Sequence, residues 1–121
     1  MFKVIFYEDK PGVSSLYDQI EELGKKSITD KNARVQYNQI TYLIKLLEAE
    51  GTWLISKYTK PLADDIWELR PGNNRIMYFF FKDDTYVLLH MFRKMTQKTP
   101  KAEIEKAKRE KKDYLSRHKG D

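Results

Sequence analysis

The sequence predicts an α+β domain: a small antiparallel sheet, two N-terminal helices packed on one of its faces, and a C-terminal helix. Three observations lead there. Two one-sided apolar stripes at helical spacing come early in the chain, between residues 14 and 51. Short apolar runs separated by turn residues follow, and a charged, proline-opened helical stretch ends the chain. A length of 121 residues, 40% of them apolar, fits one core and hence a single domain over 1–121.

Residues 2–7 are apolar and β-prone and run into Asp9-Lys10-Pro11-Gly12, so they read as a first strand closed by a turn. Leu16, Tyr17, Ile20 and Leu23 then fall on one helical face, with Ser14 as cap and Gly24 as stop, predicting a helix over 14–24. Thr29-Asp30 opens a second helix, whose stripe of Ala33, Tyr37, Ile40, Ile44 and Leu47 ends at Gly51. Residues 51–64 lack a period and read as a loop, with a short strand around 53–57. Strands follow at 66–70, 76–81 and 86–92, joined by Pro71-Gly72-Asn73-Asn74 and Asp83-Asp84. The middle strand is apolar on both faces, so a second layer must cover the side that the first two helices leave open. Thr99-Pro100 opens the last helix, with Pro at its first position, and its apolar stripe of Ile104, Ala107, Tyr114 and Leu115 is thin.

Charge is unevenly placed. The chain carries +5, yet residues 93–121 hold eleven Lys or Arg against five Asp or Glu, and the rest is nearly balanced. That asymmetry suits a polyanionic partner, nucleic acid first. The chain has no cysteine, so disulfide frameworks, thiolate zinc sites and thiol nucleophiles are excluded. No stretch is long and apolar enough to span a membrane, and the expected setting is the cytoplasm. Phosphate-cradling glycine loops and zincin or serine-hydrolase signatures are missing. With only two histidines, and with Asp64-Asp65 and Asp83-Asp84 reading as turn residues, neither a metal nor another cofactor is expected.

The candidate chemistry is cationic. Glu68 and Arg70 alternate onto one strand face, and Arg75 opens the next strand across a tight turn, where it can converge with them. His90, Arg93, Lys94 and Lys98 follow around the end of the last strand. Such a group can hold a pentacoordinate phosphate dianion by preorganised charge, while a Lys or His moves protons at a ribose 2′-OH or a leaving 5′-oxygen. The same pattern also fits a plain Glu68–Arg70 ion pair and a packed His90. Lys94 and Lys98 lie against the dipole of the last helix, which suits them only beside a bound anion.

Over residues 62–107 the segments LADDIWELR, NNRIMYFFF and VLLHMFRKMTQKTPKAEIEKA occur in order. Together they resemble the RelE/HigB-type toxins of type II toxin–antitoxin systems, in particular the phage-related HigB-like branch; the first half of the chain agrees in element order only. The resemblance implies a RelE-like fold and a ribosome-dependent endoribonuclease, an mRNA interferase that cuts mRNA on the ribosome by metal-free 2′-OH attack. It implies Arg70 and Arg75 as phosphate and transition-state cations and Lys94 as charge stabiliser or proton donor, with Glu68 or His90 as general base. Arg93 and Lys98 are RNA-binding in this reading. RelE-type lysines of the strand before the first arginine are replaced by Trp67 and Leu69, and Lys57 and Lys60 of the preceding loop stand in for them. The implied partners are mRNA on the ribosome and a helix-turn-helix, HigA-like antitoxin, with operator DNA reached only through the toxin–antitoxin complex and no membrane involved. ParE-like toxins share this fold and inhibit gyrase without cleaving, so a binding-only gyrase inhibitor or RNA-binding module is the alternative.

Overall fold

The computed structural model describes residues 1–53 and 57–120. The elements run β1 (Lys3–Phe6), α1 (Ser15–Lys26), α2 (Lys31–Glu50), a 3₁₀ turn (Gly51–Trp53), β2 (Thr59–Pro61), β3 (Trp67–Leu69), β4 (Asn74–Phe80), β5 (Thr85–Arg93) and α3 (Lys101–Arg117). The strands form one sheet in the order β1-β5-β4-β3-β2. Strands β2 to β5 are an antiparallel meander, and β1 joins the edge beside β5 in parallel, so the sheet is mixed. A parallel neighbour requires a crossover, and the segment carrying α1 and α2 lies within it.

Each helix start has a local cause. Ser14 Oγ accepts from Tyr17 N at the head of α1, and Asp30 accepts from Asn32 N and Ala33 N at the head of α2. The expected stop at Gly24 is corrected: α1 continues to Lys26. A Cβ at Gly24 would stand 2.9 Å from the Tyr37 ring, so this glycine serves close packing of α1 on α2. Pro100 is the N-cap of α3, one position earlier than expected. Of the strand expected around 53–57, Trp53 belongs to the 3₁₀ turn, Lys57 lies in a turn, and 54–56 fall outside the described residues. Asp64, Asp65 and Asp83 all have positive φ, the left-handed turn conformation that Asp tolerates better than most residues.

The sheet separates two cores. On one face, Leu16, Ile20, Ile40, Leu43 and Leu47 of α1 and α2 pack on Leu69, Ile76, Tyr78, Tyr86 and Leu88. On the other, Ala107 and Tyr114 of α3 cover Ile66, Met77, Phe79, Val87 and Leu89. The second layer that the apolar central strand requires is therefore α3. A bulge adjusts β5: Met77 pairs with His90 but Tyr78 pairs with Leu88, leaving Leu89 as the extra residue. The bulge lets Leu89 enter the α3-side core while His90, its neighbour, also meets α3. Among the described residues no helix is long and apolar enough to cross a membrane.

Candidate functional site

Glu68 lies in the middle of β3, between Trp67 and Leu69, which pack toward α1 and α2. Strand alternation turns Glu68 to the opposite face, and it is only 1% exposed. A carboxylate buried this deeply requires compensation. Its Oε2 accepts from Arg70 Nε at 2.8 Å and lies 4.0 Å from Arg75 Nε. Its Oε1 accepts from Thr99 Oγ1 at 2.5 Å. One carboxylate thus ties together the end of β3, the start of β4 and the approach to α3. Two guanidinium charges face one carboxylate, so the cluster keeps a net positive charge.

The turn between β3 and β4 shapes the arginines. Gly72 has φ +59°, and a Cβ there would fall 2.2 Å from Gln39 Oε1, so glycine permits both the backbone conformation and the close approach to α2. Arg75 Nη1 donates to the carbonyls of Gly72 and Asn74, each at 2.8 Å, which fixes the guanidinium plane. Burial pulls the Arg75 pKa below its ordinary value, Glu68 opposes that shift and Arg70 reinforces it. The Arg70 side chain retains 27% exposure and, with Arg75, borders a groove of about 450 Å³. The other walls are Gln39, Tyr42 and Leu43 of α2, Lys57, Tyr58, Pro71 and Gly72. The Lys57 ammonium lies 5.6 Å from the centre of the Tyr58 ring. A groove with cations at its mouth and two tyrosines in its wall offers both charge and stacking surface to a nucleotide strand.

On the other side of Arg75 the connection from β5 to α3 forms a shallow cleft lined by Phe92, Lys94, Lys98 and Thr99. Lys94 N donates to Asn73 O at 2.8 Å, which pins the start of this connection to the turn that precedes Arg75. Thr96 Oγ1 donates to Lys98 O at 2.7 Å and shapes its tip. Neither ammonium is paired with an acid among the described residues.

The structure thus brings Glu68, Arg70 and Arg75 into one cluster, flanked by Lys57 on one side and Lys94 and Lys98 on the other. Lys60 is exposed on β2 in register with Glu68, at the sheet edge on the same face. Arg93 is separated from the cluster: it borders a different groove, with Asp18, Glu22 and Lys26 of α1. His90 does not join the cluster either, contrary to the expectation that it lines the cationic pocket. It is 6% exposed beneath α3, with Nδ1 2.5 Å from Glu110 Oε1 and Nε2 3.0 Å from Glu103 Oε1. Both ring nitrogens are engaged, which makes His90 a fastener between β5 and α3. Glu68 likewise has both carboxylate oxygens engaged, Oε2 by Arg70 and Oε1 by Thr99.

From sequence Thr99 was read only as a helix start, and Gln39, Tyr42 and Tyr58 were not assigned to the site. Tyr42 carried a usable signal, since an aromatic lying two residues from Ile40 falls off the apolar stripe of α2, and it is 58% exposed. The family described as phage-derived protein Gp49-like (DUF891) matches residues 18–112, from within α1 to within α3. No curated protein matches the chain.

Proposed function

The chain belongs to the phage-derived Gp49-like family, part of the RelE/HigB-like toxin group, and on that premise we propose that it is a ribosome-dependent mRNA endoribonuclease. Membership is consistent with a toxin of a toxin–antitoxin system and implies an antitoxin partner. In our reading that partner is a helix-turn-helix, HigA-like protein that reaches operator DNA as a complex with the toxin.

The observation that carries the proposal is the Glu68 carboxylate holding Arg70 and Arg75 at the mouth of the groove. In the proposed reaction the ribose 2′-oxygen attacks the adjacent phosphorus, its proton passing to solvent water, and the bond to the 5′-oxygen of the next nucleotide breaks as that oxygen takes up a proton. The products are a 2′,3′-cyclic phosphate and a free 5′-OH. Arg70 and Arg75, already oriented by Glu68 and by two backbone carbonyls, stabilise the charge that develops on the phosphorane oxygens. Lys94, across Arg75 from the groove, supplies further positive charge or the proton for the leaving oxygen, and Lys57, Lys60 and Lys98 hold flanking phosphates. The ribosome contributes by fixing the strand in line for attack, a term that a flexible free transcript lacks.

Growth arrest tests the assignment. Arg75→Ala, expressed at the wild-type level, is expected to abolish it, whereas Arg93→Ala, on the other groove, is expected to retain it. Arrest by Arg75→Ala would remove Arg75 from the reacting centre.

A further inference from the structure

His90 is a buried titratable group that the proposed reaction does not use. Its partners on α3, Glu103 and Glu110, stand about two turns and 10 Å apart along one face of the helix. Ala107, between them in sequence and fully buried, lets that face sit close on the sheet. The two carboxylates reach the ring at its two nitrogens, Glu110 Oε1 at 2.5 Å from Nδ1 and Glu103 Oε1 at 3.0 Å from Nε2. Among the described residues neither carboxylate has an ion-pair partner other than His90.

Proton count decides what this arrangement can do. A neutral imidazole offers one N–H and one lone pair, and an ionised carboxylate only accepts. Two contacts therefore need two donated protons: an imidazolium between two carboxylates, or a neutral ring between a carboxylate and a carboxylic acid. Both descriptions hold the same number of protons, so the three groups titrate as one unit. The other groups around the ring do not alter that count. Met77, its partner on β4, is uncharged; beyond it Glu68 is engaged by Arg70 and Thr99, and Arg75 is in register with Phe92. Tyr7, just past β1, lies in the field of Glu110 and donates to Asp113. Removing one proton sets a ring lone pair against a carboxylate. Of the two contacts, the one to Glu103 is longer and its carboxylate more exposed, 29% against 13%, so that contact gives way.

Glu103 stands in the first turn of α3, whose N-cap, Pro100, makes no side-chain capping bond. Thr99, immediately before that cap, donates to Glu68 Oε1, and Glu68 Oε2 accepts from Arg70. We propose that His90, Glu103 and Glu110 form a proton-dependent latch that seats the first turn of α3 and, through Thr99, sets Glu68 against Arg70 and Arg75. His90 is thus a positioning residue for the cationic cluster. The latch itself stands apart from what the cluster does; its effect on cleavage rests on the endoribonuclease reading.

Two variants separate the latch from ordinary packing. Glu103→Gln keeps the volume and gives Nε2 a donor, so its contact survives beside a neutral ring, whereas Glu103→Ala loses the contact at every pH. The full chain, isotope-labelled, is followed by NMR, with His118→Gln to assign the ring signals of the two histidines. In wild type, raising the pH is expected to move the His90 ring nitrogens and the amides of Thr99 and Glu68 with one shared midpoint. Hydrogen-exchange protection of the Ile104 amide, which bonds Pro100 O, should fall by about tenfold over the same range. In Glu103→Gln the Thr99 and Glu68 amides should keep their low-pH positions throughout, and in Glu103→Ala their high-pH positions. Amides that ignore the ring titration, or a Glu103→Gln chain as pH-sensitive as wild type, would overturn the proposal. Ribosome-dependent cleavage is the second readout: Glu103→Ala should cut about tenfold more slowly and Glu103→Gln within about twofold of wild type. Cleavage by Glu103→Ala at the wild-type rate would overturn the positioning role. Absence of cleavage by the wild type would overturn the endoribonuclease reading, and the NMR result alone would then decide the latch.

Discussion

At the scale of the residue, Glu68 determines how the cations are arranged. Its carboxylate is buried and engaged by Arg70, Thr99 and, at longer range, Arg75. Glu68→Gln keeps the volume but leaves two guanidiniums without their counter-charge, which should cost about 2–3 kcal/mol, below the full value for a buried pair because Arg70 is partly solvated. Urea unfolding checks this: the midpoint should fall with an unchanged slope, and no change in midpoint would contradict it. Tyr7 gives a second expectation. Burial and the hydrogen bond to Asp113, helped by that carboxylate's charge, push its phenol up to about 12. A folded pKa above the unfolded value near 10 stabilises the fold below pH 10, and that stabilisation is lost as pH rises through about 12. Alkaline titration should show Tyr7→Phe without this decline, and an identical decline in both proteins would contradict it. The sequence disclosed that Glu68, Arg70 and Arg75 share a neighbourhood, because strand alternation and a tight turn are local rules. It did not disclose that His90 faces α3, because that depends on a bulge and on two carboxylates 13 and 20 residues away.

At the scale of the element, helix starts were legible because caps are chemical signals: Ser14 and Asp30 bond the N–H groups that helix geometry leaves open. The end of α1 was less legible. Glycine signals a stop only when the backbone needs its left-handed conformation, and Gly24 instead makes room for Tyr37. Gly24→Ala is therefore expected to destabilise by roughly 1–3 kcal/mol, despite alanine's better helix propensity, because the ring must shift. A raised melting temperature in that variant would show that α1 and α2 have room to spare. The strand order was only half legible. Short turns specify the meander, but a crossover fixes neither direction nor edge locally, so the parallel place of β1 beside β5 emerged only from the structure.

At the scale of the whole molecule, the last quarter of the sequence places its cations around α3 with part-exposed acids among them. Of the acids of α3, Glu103 and Glu110 turn inward to His90, whereas Glu105 and Asp113 stand among Lys101, Lys106, Arg109 and Lys112 around the helix, each paired with a cation of α3 itself. Net charge by segment was readable in the sequence; which acids are drawn to His90 was not, since that depends on which side of α3 meets the sheet. The α1–α2 side presents a different groove, about 300 Å³, lined by Phe6, Tyr17, Tyr37 and Ile44 together with Glu21, Glu48 and Lys45. The central claim is that the cationic cluster cleaves mRNA held by a ribosome. The most direct measurement is primer extension on a reporter mRNA with wild type and Arg75→Ala, with and without ribosomes. The account predicts cuts that keep codon register, appear only when ribosomes are present and vanish in the variant. Growth arrest by the wild type with no cuts in any of these reactions would contradict it and favour a binding-type inhibitor of gyrase.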